Sequence, residues 1–281
     1  MAGTLYLCAT PIGNLGDMTP RAVETLKSVD LIAAEDTRNS IRLLNYFDIH
    51  TPMTSYHEYN KVEKAHVLIR QLHGGKDIAL ITDAGTPAIS DPGEVLVQLC
   101  RKEGIRITSL PGPAACIVAL TLSGLPARRF CFEGFLPAEK KEREAVWEDC
   151  ENEARTIIFY EAPHHLKRFL QELFDRLGDR KIALCRELTK KFEDVMCVTV
   201  SEAIRYYEEN DPRGEYVIVA EGRDRKEKQE EQKKQWQTLS IPEHVAFYES
   251  CGADRKEAMK QAAKDRGISR REVYQALLEG K

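Results

Sequence analysis

Apolar positions in the first half of the chain alternate between two spacings. Short apolar runs at Leu5–Ala9, Asp30–Ala34, Ile78–Ile81 and Ile105–Ser109 have the length and composition of strands. Between them apolar residues recur at helical spacing, in Arg21–Lys27, at Ile41, Leu43, Leu44 and Phe47, at Val62, Ala65, Leu68, Ile69 and Leu72, and in Glu94–Cys100. Thr19 ahead of Pro20 reads as an N-cap followed by proline at the first helical position. Strand–helix alternation of this kind predicts a parallel sheet with helices on both faces.

The second half has more strands and fewer helices between them. Strands are predicted at 130–135, 156–160, 181–185, 195–200 and 215–220, and helices at 139–150, 163–177 and 202–208. The runs 181–185 and 195–200 are close enough to pair antiparallel, so this sheet should be mixed. From Arg223 to Gln237 the chain is rich in Lys, Glu and Gln with few apolar anchors, which reads as a linker or an exposed helix. Amphipathic patterns follow at 244–249, 255–264 and 269–278; Gly267 sits where an inter-helix turn belongs, and Ser269 with Glu272 makes a capping box. The expected architecture is α/β: two α/β domains, 1–115 and 116–222, with a cleft between them, and a linker with a helical tail, 223–281.

Composition narrows the class. With 281 residues, 42% of them hydrophobic, the chain can build two cores. No run approaches the ~18 apolar residues of a membrane span, and a strand begins almost at the N-terminus, so a cytoplasmic protein is expected. The eight cysteines contain no C-x-x-C pair and the seven histidines no ligand spacing, so no metal site is expected. Net charge is −4, unevenly spread: residues 223–281 hold 14 Lys/Arg against 11 Asp/Glu, +3, and the rest 27 against 34, −7. A mixed tail of this kind suits a solvated surface, and it also suits contact with phosphates.

Three loops carry the candidate chemistry. The stretch Thr82-Asp-Ala-Gly-Thr-Pro-Ala-Ile-Ser-Asp-Pro-Gly93 follows a strand and precedes a helix, and its twelve residues include two glycines, two prolines and two aspartates. Glycine lets backbone approach a ligand and proline fixes the loop's path. Thr10-Pro-Ile-Gly-Asn-Leu-Gly-Asp17 and Leu110-Pro-Gly-Pro-Ala-Ala115 stand at analogous strand ends. Loops at the carboxyl ends of parallel strands are where open α/β sheets bind ligands, so three of them predict a ligand cleft. Neither G-x-G-x-x-G nor G-x-x-x-x-G-K-[ST] occurs, so the cleft is not a familiar dinucleotide or phosphate loop.

Together Ala9–Leu15, Glu35-Asp-Thr-Arg38, Asp83–Gly93 and Leu110–Ala114 resemble the tetrapyrrole-methylase superfamily. With Phe159–His164 and Arg186–Glu193 they are similar to its bacterial branch that 2′-O-methylates a cytidine of small-subunit (16S) ribosomal RNA. The resemblance covers about residues 4–221. It implies S-adenosylmethionine as cofactor, the small ribosomal subunit as partner, and a homodimer. It places Pro11 beside the cofactor, with Ala84, Gly85, Thr86 and Ile89 in the second loop, Ala114 and Ala115 after the third, and Tyr160, Glu161 and Leu188 closing over the adenosine. Many superfamily members have Gly-Asp-Pro where this chain has Gly85-Thr86-Pro87, which counts against the alternative of C-methylation of a tetrapyrrole.

A ribose hydroxyl is a poor nucleophile and gains from a general base or from a cation near the developing alkoxide. Glu35 and Lys190 are the catalytic candidates, with Glu193 behind them, although Glu35-Asp36 equally suits a helix start and Lys190-Lys191 a solvated loop. Arg38, Arg186, Lys190 and Lys191 are the candidates for RNA phosphates, followed by Arg270 and Arg271. A nucleic-acid-binding module without catalysis would leave the three loops unexplained.

Overall fold

Strand-helix alternation in the first half produces a five-stranded parallel sheet in the computed structural model, which describes residues 2–224, 236 and 239–279. The strands are β1 (Thr4–Cys8), β2 (Leu31–Ala34), β3 (Met53–Ser55), β4 (Ile78–Ile81) and β5 (Arg106–Leu110), in the order β3-β2-β4-β1-β5. The strand period of two sorts residues onto two faces. Ala79 and Ile81 meet Ala22 and Leu26 of α1 (Pro20–Ser28) and Leu44 of α2 (Thr37–Tyr46). Ile78 and Leu80 meet Leu68 and Leu72 of α3 (Lys61–His73) and Leu96 of α4 (Glu94–Lys102). Thr19 caps α1 through Ala22 N at 3.2 Å, as its sequence predicts. β3, with three residues and no apolar run, has no counterpart among the strands that apolar spacing predicts.

The order creates a switch point. The chain leaves β1 for β2 on one side and leaves β4 for β5 on the other, so a crevice opens at the carboxyl ends of neighbouring β1 and β4.

The second sheet comprises β6 (Phe130–Phe135), β7 (Thr156–Glu161), β8 (Lys181–Arg186), β9 (Asp194–Thr199) and β10 (Tyr216–Ala220), ordered β6-β7-β10-β8-β9. β6 and β7 are parallel and the other neighbours antiparallel, the mixed sheet expected. One face packs on α5 (Ala115–Ser123) through Ala119, Leu120, Ile158, Ala183 and Val219. The other packs on α6 (Lys140–Glu151), α7 (Pro163–Leu177) and α8 (Val200–Glu209), with Trp147, Phe159 and Phe169 in mutual contact at ring-centre distances of 5.3–5.8 Å.

Both sheets lie in one compact unit, which ends at Glu221; residues 151–154 and those from Gly222 onward form a second. The second unit holds α9 (Ile241–Ser250), α10 (Arg255–Arg266) and α11 (Arg270–Glu279) around Val245, Ala258, Ala262 and Val273. Gly267 ends α10 in the left-handed region, φ 65°. Ser269 N donates to Glu272 at 2.7 Å while Glu272 N donates to Ser269 Oγ at 3.2 Å, the capping box read from the sequence. The stretch 223–237, read as a linker or exposed helix, lies largely outside the described residues. No helix among the described residues is long and apolar enough to cross a membrane.

Phe159 is fully buried beneath two aromatic neighbours. Phe159→Ala is expected to lower unfolding free energy by about 3–5 kcal/mol, the range for losing a large core aromatic, measured by urea denaturation.

Candidate functional site

The three Gly/Pro loops interlock at the switch point. Thr10 N donates to Gly85 O at 2.9 Å and Gly85 N to Thr10 O at 3.1 Å, joining the first loop to the second. Gly85 makes this bridge at φ 84°, and a Cβ there would meet Ile12 Cγ2 at 3.3 Å. Thr86 Oγ1 donates to Pro113 O at 2.9 Å, tying the second loop to the third. The third meets the first where a Cβ on Gly112 would lie 2.6 Å from Ala9 Cβ. Ala88 sits at φ 65°, an uncommon conformation for a residue with a side chain, and Gly93 is packed against it.

These loops wall one side of a cavity of about 490 Å³. From the sequence-predicted set, Glu35, Ala84, Gly85, Thr86 and Ile89 line it on the first sheet's side. Ala114 and Ala115 of the third loop continue that wall, and Tyr160, Glu161, Leu188 and Lys190 line the cavity on the second sheet's side. Pro11 does not: the first loop turns its next residue, Ile12, into the wall, where it packs on Gly85. Arg38, Arg186 and Lys191 are also outside the lining. Arg38 is 89% exposed and folds back on Asp36, which caps α2. Its guanidinium hydrogen bonds hold the Asp36 carboxyl down at about 2. Arg186 approaches Asp194 at 3.7 Å, and Lys191 stands 5.6 Å over the Phe192 ring. Glu193 accepts from Thr189 N at 2.6 Å, shaping the loop after β8.

Sequence reasoning missed several wall residues, chiefly Asp83, Asp91, Phe135 and Tyr216. The two aspartates lie in the loop already singled out, and their type was the available signal. Phe135 and Phe132 stand edge-on to the Tyr160 ring at 5.5 and 5.0 Å, an aromatic wall suited to a flat heterocycle. The Tyr160 hydroxyl accepts from Cys116 N at 3.1 Å, and burial raises its pKa far above the usual phenol range.

Carboxylates dominate the cavity's charge. Glu35 Oε2 accepts from the buried Thr82 hydroxyl at 2.6 Å and from Asp83 N at 3.3 Å. Asp91 is pushed up to about 6 by burial, then by the charges of Glu35 and Asp83, with the Thr82 hydrogen bond pulling the other way. Lys190 bridges Glu187 at 2.9 Å and Glu215 at 2.7 Å. Burial alone would lower its pKa, but the two carboxylates outweigh that and hold it above the ordinary lysine value. Lys190 is therefore a fixed ammonium, unfit to be a base. With Asp83, Glu161 and Glu215 also in the lining, the cavity favours a ligand bearing positive charge and disfavours phosphate.

A carboxyl whose pKa is raised by folding contributes its stability below the unfolded value and loses it as pH rises through about 6. Asp91→Asn should therefore stabilise the ligand-free protein at pH 7.5, by on the order of 1 kcal/mol once solvent screening of a partly buried group is allowed for. The gain should fade toward pH 4 in thermal unfolding scans.

Residues 4–204 match the family model described as Tetrapyrrole (Corrin/Porphyrin) Methylases. A Bacillus subtilis (strain 168) protein called ribosomal RNA small subunit methyltransferase I is 50% identical, over 98% of this chain and 94% of its own length. A protein of the same name from Synechocystis sp. is 45% identical, over 99% and 98%. Among solved structures, a diphthine synthase superposes with TM-score 0.61 at 12% identity, covering 78% of this chain and 90% of that one. A Thermus thermophilus uroporphyrin-III-C-methyltransferase superposes with TM-score 0.56 at 19%, covering 78% and 94%; at these identities the two share the fold. Its sequence over most of its length, and its two sheets meeting at a loop-walled cavity, establish that the chain belongs to the tetrapyrrole methylase family.

Proposed function

We propose that the protein transfers a methyl group from S-adenosylmethionine to the ribose 2′-oxygen of a cytidine in the 16S RNA of the small ribosomal subunit, as a cytoplasmic homodimer. The observation that carries the reading is near full-length identity of 45–50% to relatives that share one name, ribosomal RNA small subunit methyltransferase I. The cavity supports the cofactor. Its volume lies within the ~300–1,000 Å³ of small-molecule sites, and its lining combines an aromatic wall, exposed loop backbone and an excess of carboxylates. A sulfonium and an amino group suit that charge, and the residues present therefore fit S-adenosylmethionine.

The residues divide by role. Ala84, Gly85, Thr86, Ile89, Ala114, Ala115, Tyr160, Glu161 and Leu188 shape the cofactor's walls together with Ile12, and Pro11 fixes the path of the first loop beside them. The bound cofactor supplies an electrophilic methyl carbon, and displacement at that carbon depends chiefly on positioning. Glu35, oriented by Thr82 and Asp83 N, accepts the proton of the substrate hydroxyl. Lys190 stays charged beside the developing alkoxide. RNA phosphates stay out of the acidic cavity and meet Arg38, Arg186 and Lys191, which lie outside its lining, and Arg270 and Arg271 at the start of α11.

Incubation with methyl-labelled cofactor and small ribosomal subunits is expected to label the RNA, at a nucleotide whose 3′ phosphodiester resists alkali because its 2′-oxygen is blocked. Label on a base, or on a uroporphyrinogen offered in place of RNA, overturns the reading. Glu35→Gln is expected to lower kcat by about 10²- to 10⁴-fold, the usual weight of a general base, while calorimetry shows cofactor affinity within a few-fold.

A further inference from the structure

Asp83 and Asn39 meet at the cavity's rim from two different elements. Asn39 lies in the first turn of α2, and its Nδ2 donates to Asp83 Oδ2 at 3.0 Å across 44 residues of chain. Carboxylate oxygens of an ionised acid only accept, so the Asn39 atom that faces Asp83 is its nitrogen, and the partner sets the amide's orientation. Both residues are exposed, and Asp83 lines the cavity. Their backbones are fixed. Asp83 N donates to Glu35 Oε2 at 3.3 Å, and the Thr82 carbonyl before it accepts from Thr10 Oγ1 at 3.1 Å. Asn39 follows Arg38, whose N donates to the capping Asp36 carboxylate at 2.8 Å. The bond between the two side chains uses one Asn39 N–H and one Asp83 oxygen. No other hydrogen bond among the described residues takes up the second Asn39 N–H or Asp83 Oδ1. The pair thus offers an acceptor and a donor side by side, anchored to the carboxylate that meets the substrate hydroxyl.

A base held outside a duplex is read along its Watson–Crick edge. Cytosine and adenine place an amino donor beside a ring-nitrogen acceptor, whereas uracil and guanine place a carbonyl acceptor beside a ring N–H donor. A carboxylate oxygen beside an amide N–H complements the first arrangement and opposes the second at both positions. We propose that Asp83 and Asn39 read the base of the target nucleotide, Asp83 Oδ1 accepting from the cytosine amino group and Asn39 Nδ2 donating to the ring nitrogen. The proposal rests on the RNA reading above and names the residues that make the target a cytidine. Uridine differs from cytidine in those two groups, and it would leave both side chains facing groups of their own kind, unpaired. Asp83 couples the two tasks. Its amide holds Glu35 for the ribose hydroxyl while its carboxylate holds the base of the same nucleotide, so a base refused at the rim takes the hydroxyl away from Glu35.

The test compares methyl transfer into small ribosomal subunits that carry cytidine, uridine or the pyrimidin-2-one nucleoside, which lacks the amino group, at the position the wild type labels. The wild type is expected to favour cytidine over uridine by about 10- to 100-fold in kcat/KM, the weight of one bidentate base contact, and over pyrimidin-2-one by several-fold. Asp83→Asn, whose amide can turn a donor toward the uracil carbonyl, should bring the cytidine-to-uridine ratio to within a few-fold of one. Asn39 is outside the cavity lining, so Asn39→Ala should lower that ratio several-fold while calorimetry finds S-adenosylmethionine affinity within a few-fold of wild type. If the pair only ties α2 to the second loop, or if Asp83 serves only the cofactor, both substrates lose rate alike. An unchanged ratio in both variants therefore overturns the assignment and leaves the RNA reading standing. So does a wild type that methylates pyrimidin-2-one as fast as cytidine, a measurement that needs no variant to fold. RNA that takes up no label with any substrate overturns the RNA reading and the assignment with it.

Discussion

Two main-chain hydrogen bonds between Thr10 and Gly85 hold together the part of the molecule where its chemistry resides. At a switch point neighbouring strands send their chains in opposite directions, and the gap between them has no secondary structure of its own to close it. Here the bridge closes it, and the Thr10 hydroxyl adds a third bond, to Thr82 O at 3.1 Å. Both threonines are buried, so these polar groups have no water to turn to and the loops cannot part without leaving them unpaired. The positive φ of Gly85 follows from this bridge, and Thr82, fixed in the same place, orients Glu35. One local constraint thus sets backbone conformation, loop spacing and the aim of a carboxylate.

Much of the fold was legible because its signals are local. Strands β4 and β6 and helix α7 have the bounds that apolar spacing predicts, and Thr19 and Ser269 cap where their residue types say they should. The position of β10 at the centre of the second sheet was not legible, because strand order depends on pairings between distant residues that leave no pattern in either strand. The cavity followed the same division. Three loops of small and rigid residues announced themselves, whereas Phe135, on an exposed strand end, and Tyr216, in an ordinary apolar run, become wall residues only through tertiary placement. Asp83 and Asp91 were in plain view, but a carboxylate in a loop is usually solvated, and nothing local shows that Asp91 is half-buried in a cavity wall shared with Glu35 and Asp83. Ile12, next to Pro11 in the first loop, stands in the lining because side-chain direction within a loop turns on one residue of register.

Lys190 illustrates how a charge is made permanent. The segment that presents it holds Glu187 at φ 50° and Thr189 at φ 65°, two uncommon conformations within three residues. Glycines make room on both sides: a Cβ at Gly13 would collide with the Lys190 side chain, and one at Gly214 with Glu187. Glu187 Oε1 in turn accepts from Glu215 N at 3.0 Å, so the acid that holds the lysine is itself held by backbone. Strain in two residues is balanced by an ion pair and its hydrogen bonds, and the ammonium is fixed in the wall rather than free to wander.

Helix α5 begins in the cavity and ends in a core. Ala115 and Cys116 line the wall, while Ala119 and Leu120, one turn on, are packed against Ala183 and Val219 of the second sheet. The third loop of the first sheet is thus continuous with an anchor in the other sheet, and neither sheet alone can bring that wall into register. The cavity is complete only when both cores are in place. Amide protons at the start of α5, at the cavity's edge, should accordingly exchange faster than those of β8 and β10, which are paired on both sides within the second sheet.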